Sequence, residues 1–203
     1  MSPQRYRDFL ENLSRTDPRP PLVRIYHAVR NIPYGSTGLR EPLAVIEKNY
    51  GSCSGKHLLL RDLLRAEGYE AEIITMFTYF DRGIPLHDSY PDELKRLCRD
   101  GNVPDFHHYV RARVDDEWRR LDATWHDQLI PYGFPVNHAW DGVGDSVLAA
   151  TAIREYPNVE NLIPRKEELI RSLPPEERER RARFFQLVTE WIANLGSGAA
   201  SLG

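Results

Sequence analysis

The stretch that decides the fold runs from Asn49 to Ile74 and reads NYGSCSGKHLLLRDLLRAEGYEAEII. After Cys53, which follows a Gly-Ser turn, apolar residues recur at helical spacing, namely Leu59, Leu60, Leu63 and Leu64. Gly68 stands where a helix commonly ends, so the pattern predicts a helix over about 53–66. The β-branched and aromatic residues of 69–80 then predict a strand. The stretch therefore predicts a helix that begins at a cysteine and is followed directly by a strand.

A thiol in the first turn of a helix faces unpaired backbone N–H groups and the positive end of the helix dipole. Such positions lower a thiol pKa from ~8.5 to between ~3.5 and 7.5, which favours the nucleophilic thiolate. The residues around Cys53 are small, which would let backbone and substrate approach closely. An inert buried cysteine is the alternative interpretation, and the helix-start position alone leaves the two about equal. Cys98 has none of these features.

The rest of the chain predicts the elements that surround this helix. Short helices are expected at about 5–16, 22–31 and 41–50, before the cysteine. The segments HHYVRARV (107–114) and EWRRLDATW (117–125) predict two strands joined by a turn at Asp115–Glu117. A long helix is expected from Pro175 onwards, with its arginine-rich first half exposed to solvent. Helices followed by an antiparallel sheet and a terminal helix define the α+β class.

The hairpin offers the partners that a nucleophilic cysteine needs, a base and a group that orients the base. Antiparallel pairing brings the start of its first strand, with His107 and His108, near Asp122 at the end of the second. Alternation places His108 on the side of Val110, and His107 on the other side. We therefore expect His107 to be the base and His108 to be its more buried neighbour, an assignment that a bulge would reverse. His57, one turn after Cys53, is a rival base.

The three segments that contain these residues, read in order, resemble the transglutaminase-like superfamily of papain-related folds. They are AVRNIPY, the stretch from Asn49 to Ile74, and HHYVRARVDDEWRRLDATW, and the resemblance covers about residues 22–127. In that superfamily a Gly-x-Cys opens the core helix, one strand carries a His, and the next carries a Trp and an Asp. The resemblance implies that Cys53 is the nucleophile, His107 the general base and acid, and Asp122 the residue that orients His107. It also implies a core helix packed on an antiparallel sheet.

The expected activity is acyl transfer on an amide bond, with a peptide or another amide-containing molecule as substrate. Hydrolysis is the default outcome, because water needs no dedicated second site. A transglutaminase that accepts an amine and a non-catalytic peptide-binding domain are the alternatives. The candidates for substrate binding lie just before Cys53 and in the aromatic loop after Asp122, namely Tyr50, Ser52, Trp125, His126 and Trp140. No cofactor is expected, and the histidines lack the spacing of a metal motif, so no metal ligand is assigned.

Composition and charge set the remaining expectations. The 203 residues are 41% hydrophobic and 28% charged, with a net charge of −3, which does not suggest nucleic acid or an anionic membrane as a partner. Two cysteines and a polar start favour a cytoplasmic protein with free thiols. We expect one domain over 1–196, with a core at 22–127, a helical extension at 165–195 and a flexible tail at 197–203. Lys56 is expected to be a solvated helix residue, and a local positive charge that favours the thiolate is the alternative.

Overall fold

The computed structural model describes residues 2–36, 38, 40–156 and 161–198. Its helices and strands, in chain order, are α1 (Ser2–Thr16), α2 (Pro21–Arg30), α3 (Pro42–Lys48), α4 (Cys53–Ala66), β1 (Ala71–Tyr79), α5 (Asp92–Asp100), β2 (Pro104–Val114), β3 (Glu117–Leu121), β4 (Arg154–Tyr156), α6 (Leu162–Arg171) and α7 (Pro175–Gly198). Short 3₁₀ segments occur at Phe80–Gly83 and Asp127–Tyr132. The α+β class predicted from the sequence is confirmed.

Helix α4 begins at Cys53 because Ser52 caps it. The Ser52 side chain accepts a hydrogen bond from the backbone N–H of Gly55, which satisfies one of the unpaired donors of the first turn. Gly68 follows the helix with a φ of 93°, a conformation that favours glycine and turns the chain into β1. The helix therefore has the limits that the sequence predicts, and its first residue is the cysteine.

The four strands form one antiparallel sheet in the order β3-β2-β1-β4. Asp115 and Asp116, with φ values of 50° and 65°, make the tight turn of the β2–β3 hairpin. Strand β3 ends at Leu121, which pairs with Val110, so Asp122 lies just beyond the strand rather than within it. The predicted second strand, which ran to Trp125, is therefore too long.

Two apolar clusters cover the two faces of the sheet. Neighbours along one strand belong to different clusters, as Ile73 and Ile74 do on β1, because successive side chains point to opposite faces. The leucines of α4 pack with α1 and α2 in the cluster of Ile73. Helix α7 contributes Phe184, Val188 and Trp191 to the cluster of Ile74. Cys53 belongs to the cluster of Ile74, although the leucines of α4 belong to the cluster of Ile73.

The C-terminal region departs from the sequence prediction in three respects. The extension expected at 165–195 consists of two helices, α6 and α7, separated by three residues, and β4 precedes them. Helix α7 reaches Gly198, while residues 199–203 of the expected flexible tail lie outside the described residues. The arginine-rich turns of α7 make tertiary contacts rather than facing solvent alone, since Arg183 pairs with Glu93 of α5 and Arg181 with Asp105 of β2.

None of the helices in the described ranges combines the length and the hydropathy that crossing a lipid bilayer requires.

Candidate active site

Cys53 lies at the first position of α4, and its side chain is 4% exposed. Its sulfur, one ring nitrogen of His107 and one carboxylate oxygen of Asp105 all lie within 4.8 Å of one another. The structure therefore brings the start of α4 against the β2 residues at 105 and 107, which share one face of the strand because they are two residues apart.

His107 is oriented by Asp122. The His107 Nε2–H donates to the Asp122 Oδ2 over 2.8 Å, and both side chains are almost completely buried. The other ring nitrogen, Nδ1, is buried and makes no hydrogen bond of ordinary geometry with any residue that the structure describes. Because Asp122 engages Nε2, Nδ1 is the nitrogen left to exchange a proton with the Cys53 thiol.

Asp122 is itself held firmly by its neighbours. Its Oδ1 accepts from the backbone N–H and hydroxyl of Thr124, at 3.0 and 2.6 Å. Its Oδ2 accepts from the backbone N–H of Ala149 over 2.8 Å, in addition to His107. The backbone N–H of Asp122 donates to the Ser146 hydroxyl over 2.7 Å. These contacts fix the carboxylate, and the carboxylate in turn fixes the tautomer and direction of the His107 ring.

The electrostatics of this group favour a thiolate–imidazolium pair. Burial opposes ionisation of Cys53, but the Lys166 ammonium and the His107 imidazole outweigh it and bring the thiol pKa to about 7. Burial also opposes protonation of His107, yet the charge and hydrogen bond of Asp122 raise the His107 pKa to about 10. The Asp122 pKa lies well below its usual range, since His107 outweighs the effect of burial. At neutral pH the pair therefore has a substantial charged fraction.

The two other candidate histidines do not occupy the position of a base. His57 Nε2 accepts the backbone N–H of Ala123 over 2.8 Å, so that nitrogen carries no proton, and burial lowers the His57 pKa. His108 Nδ1 lies 3.0 Å from the Ser54 hydroxyl, and burial together with Lys166 lowers its pKa well below the usual range. His107 and His108 are equally buried, at 0% exposed, so the expected difference in their burial is absent.

Two cations from the C-terminal helices reach the site, and no feature of the sequence pointed to them. The Lys166 Nζ of α6 lies 3.8 Å from the Cys53 sulfur and 3.3 Å from the Ser54 hydroxyl. The Arg181 guanidinium of α7 donates to the Asp105 Oδ1 at 2.6 and 2.8 Å. Burial would raise the Asp105 pKa, but Lys166 and Arg181 hold it at about 2. Of Lys166, Arg181 and Asp105, only Asp105 could have been found from the sequence, because its two-residue spacing from His107 places both on one face of a strand.

Cys53, Asp105 and His107 also have the spacing of a metal site. A zinc ion would accept all three types of ligand atom. However, Arg181 already binds the Asp105 carboxylate, and the Lys166 ammonium lies 3.8 Å from both Asp105 Oδ1 and the Cys53 sulfur. A divalent cation would therefore meet two buried side-chain cations, which makes the donor set a poor fit for a metal ion.

The cavity beside Cys53 is nearly closed. Its volume is ≈ 40 Å³, which suits one or a few water molecules, whereas ligand sites typically measure at least ~300 Å³. Loop, core and C-terminal residues line it, among them Tyr34, Arg40, Ser52, Lys166 and Phe185. The space beside the sulfur is therefore too small for a molecule much larger than water.

The five residues expected to bind substrate are dispersed. Ser52 lines the cavity and caps α4, whereas the other four are absent from its lining. Tyr50 packs against Gly35, and Trp125 is buried between Tyr34 and Phe134. The substrate-binding roles of these residues stay predictions.

The remaining two members of that set lie in the loop after Asp122. The His126 Nδ1 accepts the backbone N–H of Tyr34 over 3.4 Å, and burial lowers the His126 pKa to about 4. Trp140 packs on Tyr26, whose hydroxyl donates to the backbone carbonyl of Asp122. Lys56, expected to be solvated, is instead fully buried and donates to the carbonyls of Arg30, Ile32 and Thr124 at 2.7–2.9 Å.

Comparison with known proteins identifies the family. Residues 7–123, more than half of the chain, match the transglutaminase-like superfamily, and the chain belongs to it. No curated protein matches the chain significantly. Among solved structures the chain is similar to a "Putative Cysteine Protease" from Cytophaga hutchinsonii, at 21% identity, over 54% of this chain and 32% of the other, with a TM-score of 0.37. The chain thus spans about a third of the length of that protein.

Proposed function

We propose that this protein is a cysteine-dependent acyl-transfer enzyme that acts on an amide bond, most simply as a hydrolase. The observation that carries the proposal is the 2.8 Å hydrogen bond from His107 Nε2 to Asp122 Oδ2. It leaves the other ring nitrogen, Nδ1, for proton exchange with Cys53. Cys53 is the nucleophile, His107 the base and acid, and Asp122 the residue that orients His107.

The chemistry follows from these positions. The Cys53 thiolate attacks the carbonyl carbon of the amide, and the carbonyl oxygen takes the negative charge of the tetrahedral intermediate. When the C–N bond breaks, the His107 imidazolium gives its proton to the departing amine and a thioester remains on Cys53. Water, deprotonated by His107, then attacks the thioester and releases a carboxylic acid and the Cys53 thiolate. The backbone N–H of Cys53, at the start of α4, is one donor for the oxyanion.

The reaction is tested by mass spectrometry with a mixture of unstructured peptides that contain glutamine and lysine. Hydrolysis of the backbone yields two fragments, deamidation replaces a side-chain amide by an acid, and transglutamination joins two peptides with loss of ammonia. We expect hydrolytic products and a thioester on Cys53 after rapid acid quenching. His107→Ala should remove both, because the amine then leaves without its proton donor. Products formed equally by this variant would contradict the proposal.

The closed cavity favours a second candidate, a non-catalytic domain that binds protein through its surface. This candidate predicts no thioester and no peptide product with any member of the mixture. Detection of the thioester and of peptide products, in the wild type and in His107→Ala, therefore separates the two candidates.

A further inference from the structure

Lys166 is the unexplained group of the site. It lies on α6, outside the segment that matches the superfamily, and is 4% exposed. Its ammonium lies 3.3 Å from the Ser54 hydroxyl, 3.8 Å from the Cys53 sulfur and 3.8 Å from the Asp105 Oδ1. Burying a lysine is costly unless its charge is balanced, so these contacts have to compensate for the loss of water.

The hydrogen bonds around Ser54 show which group Lys166 serves. An ammonium can only donate, so the Ser54 hydroxyl accepts from Lys166 and has its own proton free for His108 Nδ1, 3.0 Å away. The Asp105 Oδ1, the carboxylate oxygen 3.8 Å from Lys166, already accepts from two N–H groups of Arg181. The sulfur of Cys53, in contrast, receives its ammonium contact from Lys166, whose Nζ lies 3.8 Å away.

We propose that Lys166 is a catalytic cation of this site, which stabilises the Cys53 thiolate and, after attack, the oxyanion that forms on the oxygen two bonds away from the sulfur. This inference rests on the proposed function and adds to it a residue from the C-terminal helices. It assigns a side-chain donor to the oxyanion, beside the backbone N–H of Cys53. The ammonium interacts more strongly with the oxyanion than with the thiolate, because oxygen is smaller than sulfur and accepts a shorter charge-assisted hydrogen bond.

Helix α6 then has two effects that are coupled. It supplies the cation that holds the thiolate, and it covers the sulfur so that the cavity is small. Glu167, the next residue of α6, forms an ion pair of 2.8 Å with Arg40, which also lines the cavity. A substrate that reaches Cys53 has to enter beside Lys166 without removing it.

The test measures the pH midpoint of Cys53 alkylation by iodoacetamide, a neutral reagent that a local positive charge does not attract. Among the residues that the structure describes, the charged and titratable groups around Cys53 come from five parts of the chain. They are His107 and Asp105 from β2, Lys166 from α6, Arg181 from α7, Tyr34 and Arg40 from the segment before α3, and Lys56 on α4. Lys166→Met removes one charge and keeps the chain length. We expect the midpoint to rise by about one pH unit or more.

Three matched variants complete the experiment. Lys166→Gln retains a donor for the Ser54 hydroxyl without the charge. We expect it to raise the alkylation midpoint as Lys166→Met does, and it replaces the methionine variant if that variant does not fold. Lys166→Arg retains the charge and should keep the low midpoint. Arg165→Met removes an exposed cation of the same helix, which pairs with Glu168, and should leave the midpoint unchanged.

The outcomes distinguish this inference from the proposed function. A midpoint that His107→Ala raises but both neutral Lys166 variants leave unchanged overturns the role of Lys166 and leaves the triad intact. Faster alkylation at every pH with the same midpoint also overturns it, because Lys166 would then only cover the sulfur. A wild-type midpoint near ~8.5 that does not depend on His107 refutes the proposed function itself.

Discussion

The start of α4 and the end of α5 each carry a cysteine, and the two thiols differ in the direction in which their environments act. Cys98 is only partly buried, and burial raises its pKa to about 11. Cys53 is more deeply buried, yet its pKa is lowered to about 7, because Lys166 and His107 outweigh burial. Burial alone makes a thiol inert, whereas burial among cations makes it a thiolate.

The largest expected effect comes from removing each thiol in turn. Cys53→Ser should lower the rate of peptide hydrolysis by at least ~10³-fold, since a serine hydroxyl is a far weaker nucleophile in a site built for a thiolate. Cys98→Ser should retain the wild-type rate within about twofold. The rate of product formation at a fixed peptide concentration measures both. Equal losses in the two variants would show that the two environments do not differ in function.

The next effect concerns the carboxylate that orients His107. Asp122→Asn preserves the size of the side chain but removes the charge that raises the His107 pKa, so we expect a loss of ~10²–10⁴-fold in kcat. His57→Gln, a change in the neighbouring ring, should cost no more than a few-fold. A small effect of Asp122→Asn combined with a large effect of His57→Gln would instead make His57 the functional histidine.

The same substitution changes the pH dependence of stability. A folded-state pKa of about 10 for His107, above the unfolded value of ~6.5, stabilises the fold below pH ~6.5, and this stability is lost as the pH rises through about 10. The low pKa of Asp122 stabilises the fold at neutral and alkaline pH, and this contribution to stability is lost in acid. Urea titrations between pH 6 and 10, in steps of ~1 unit, should therefore show a smaller loss of unfolding free energy in Asp122→Asn than in the wild type.

The smallest effect is a difference in labelling within one molecule. With pKa values of about 7 and about 11, Cys53 and Cys98 differ strongly in thiolate fraction at pH 8. We expect iodoacetamide to label Cys53 roughly 10²-fold faster, even though Cys98 is more exposed, with peptide mass spectrometry as the measurement. Faster labelling of Cys98 would mean that exposure, rather than charge, controls reactivity in this chain.

The sequence predicted the parts of the protein that depend on local patterns. The helix from Cys53 and its end before Gly68 follow from periodicity and capping, and the β2–β3 hairpin follows from a tight turn between alternating strands. These patterns also predicted that His107 lies near Asp122, because the register of a hairpin brings together residues fifteen positions apart in the chain. The family match agrees with the resemblance carried by these same segments.

Only the tertiary structure decided what surrounds the sulfur. Lys166 lies 113 positions after Cys53 in the chain and reaches it because α6 packs on the sheet beside β2. Arg181 and Lys56 looked like surface cations in the sequence. In the structure Arg181 binds the buried Asp105, and Lys56 donates to three backbone carbonyls. Periodicity records which face of an element is apolar, but the partner of a charge depends on which distant segments meet, and that is decided only when the chain packs.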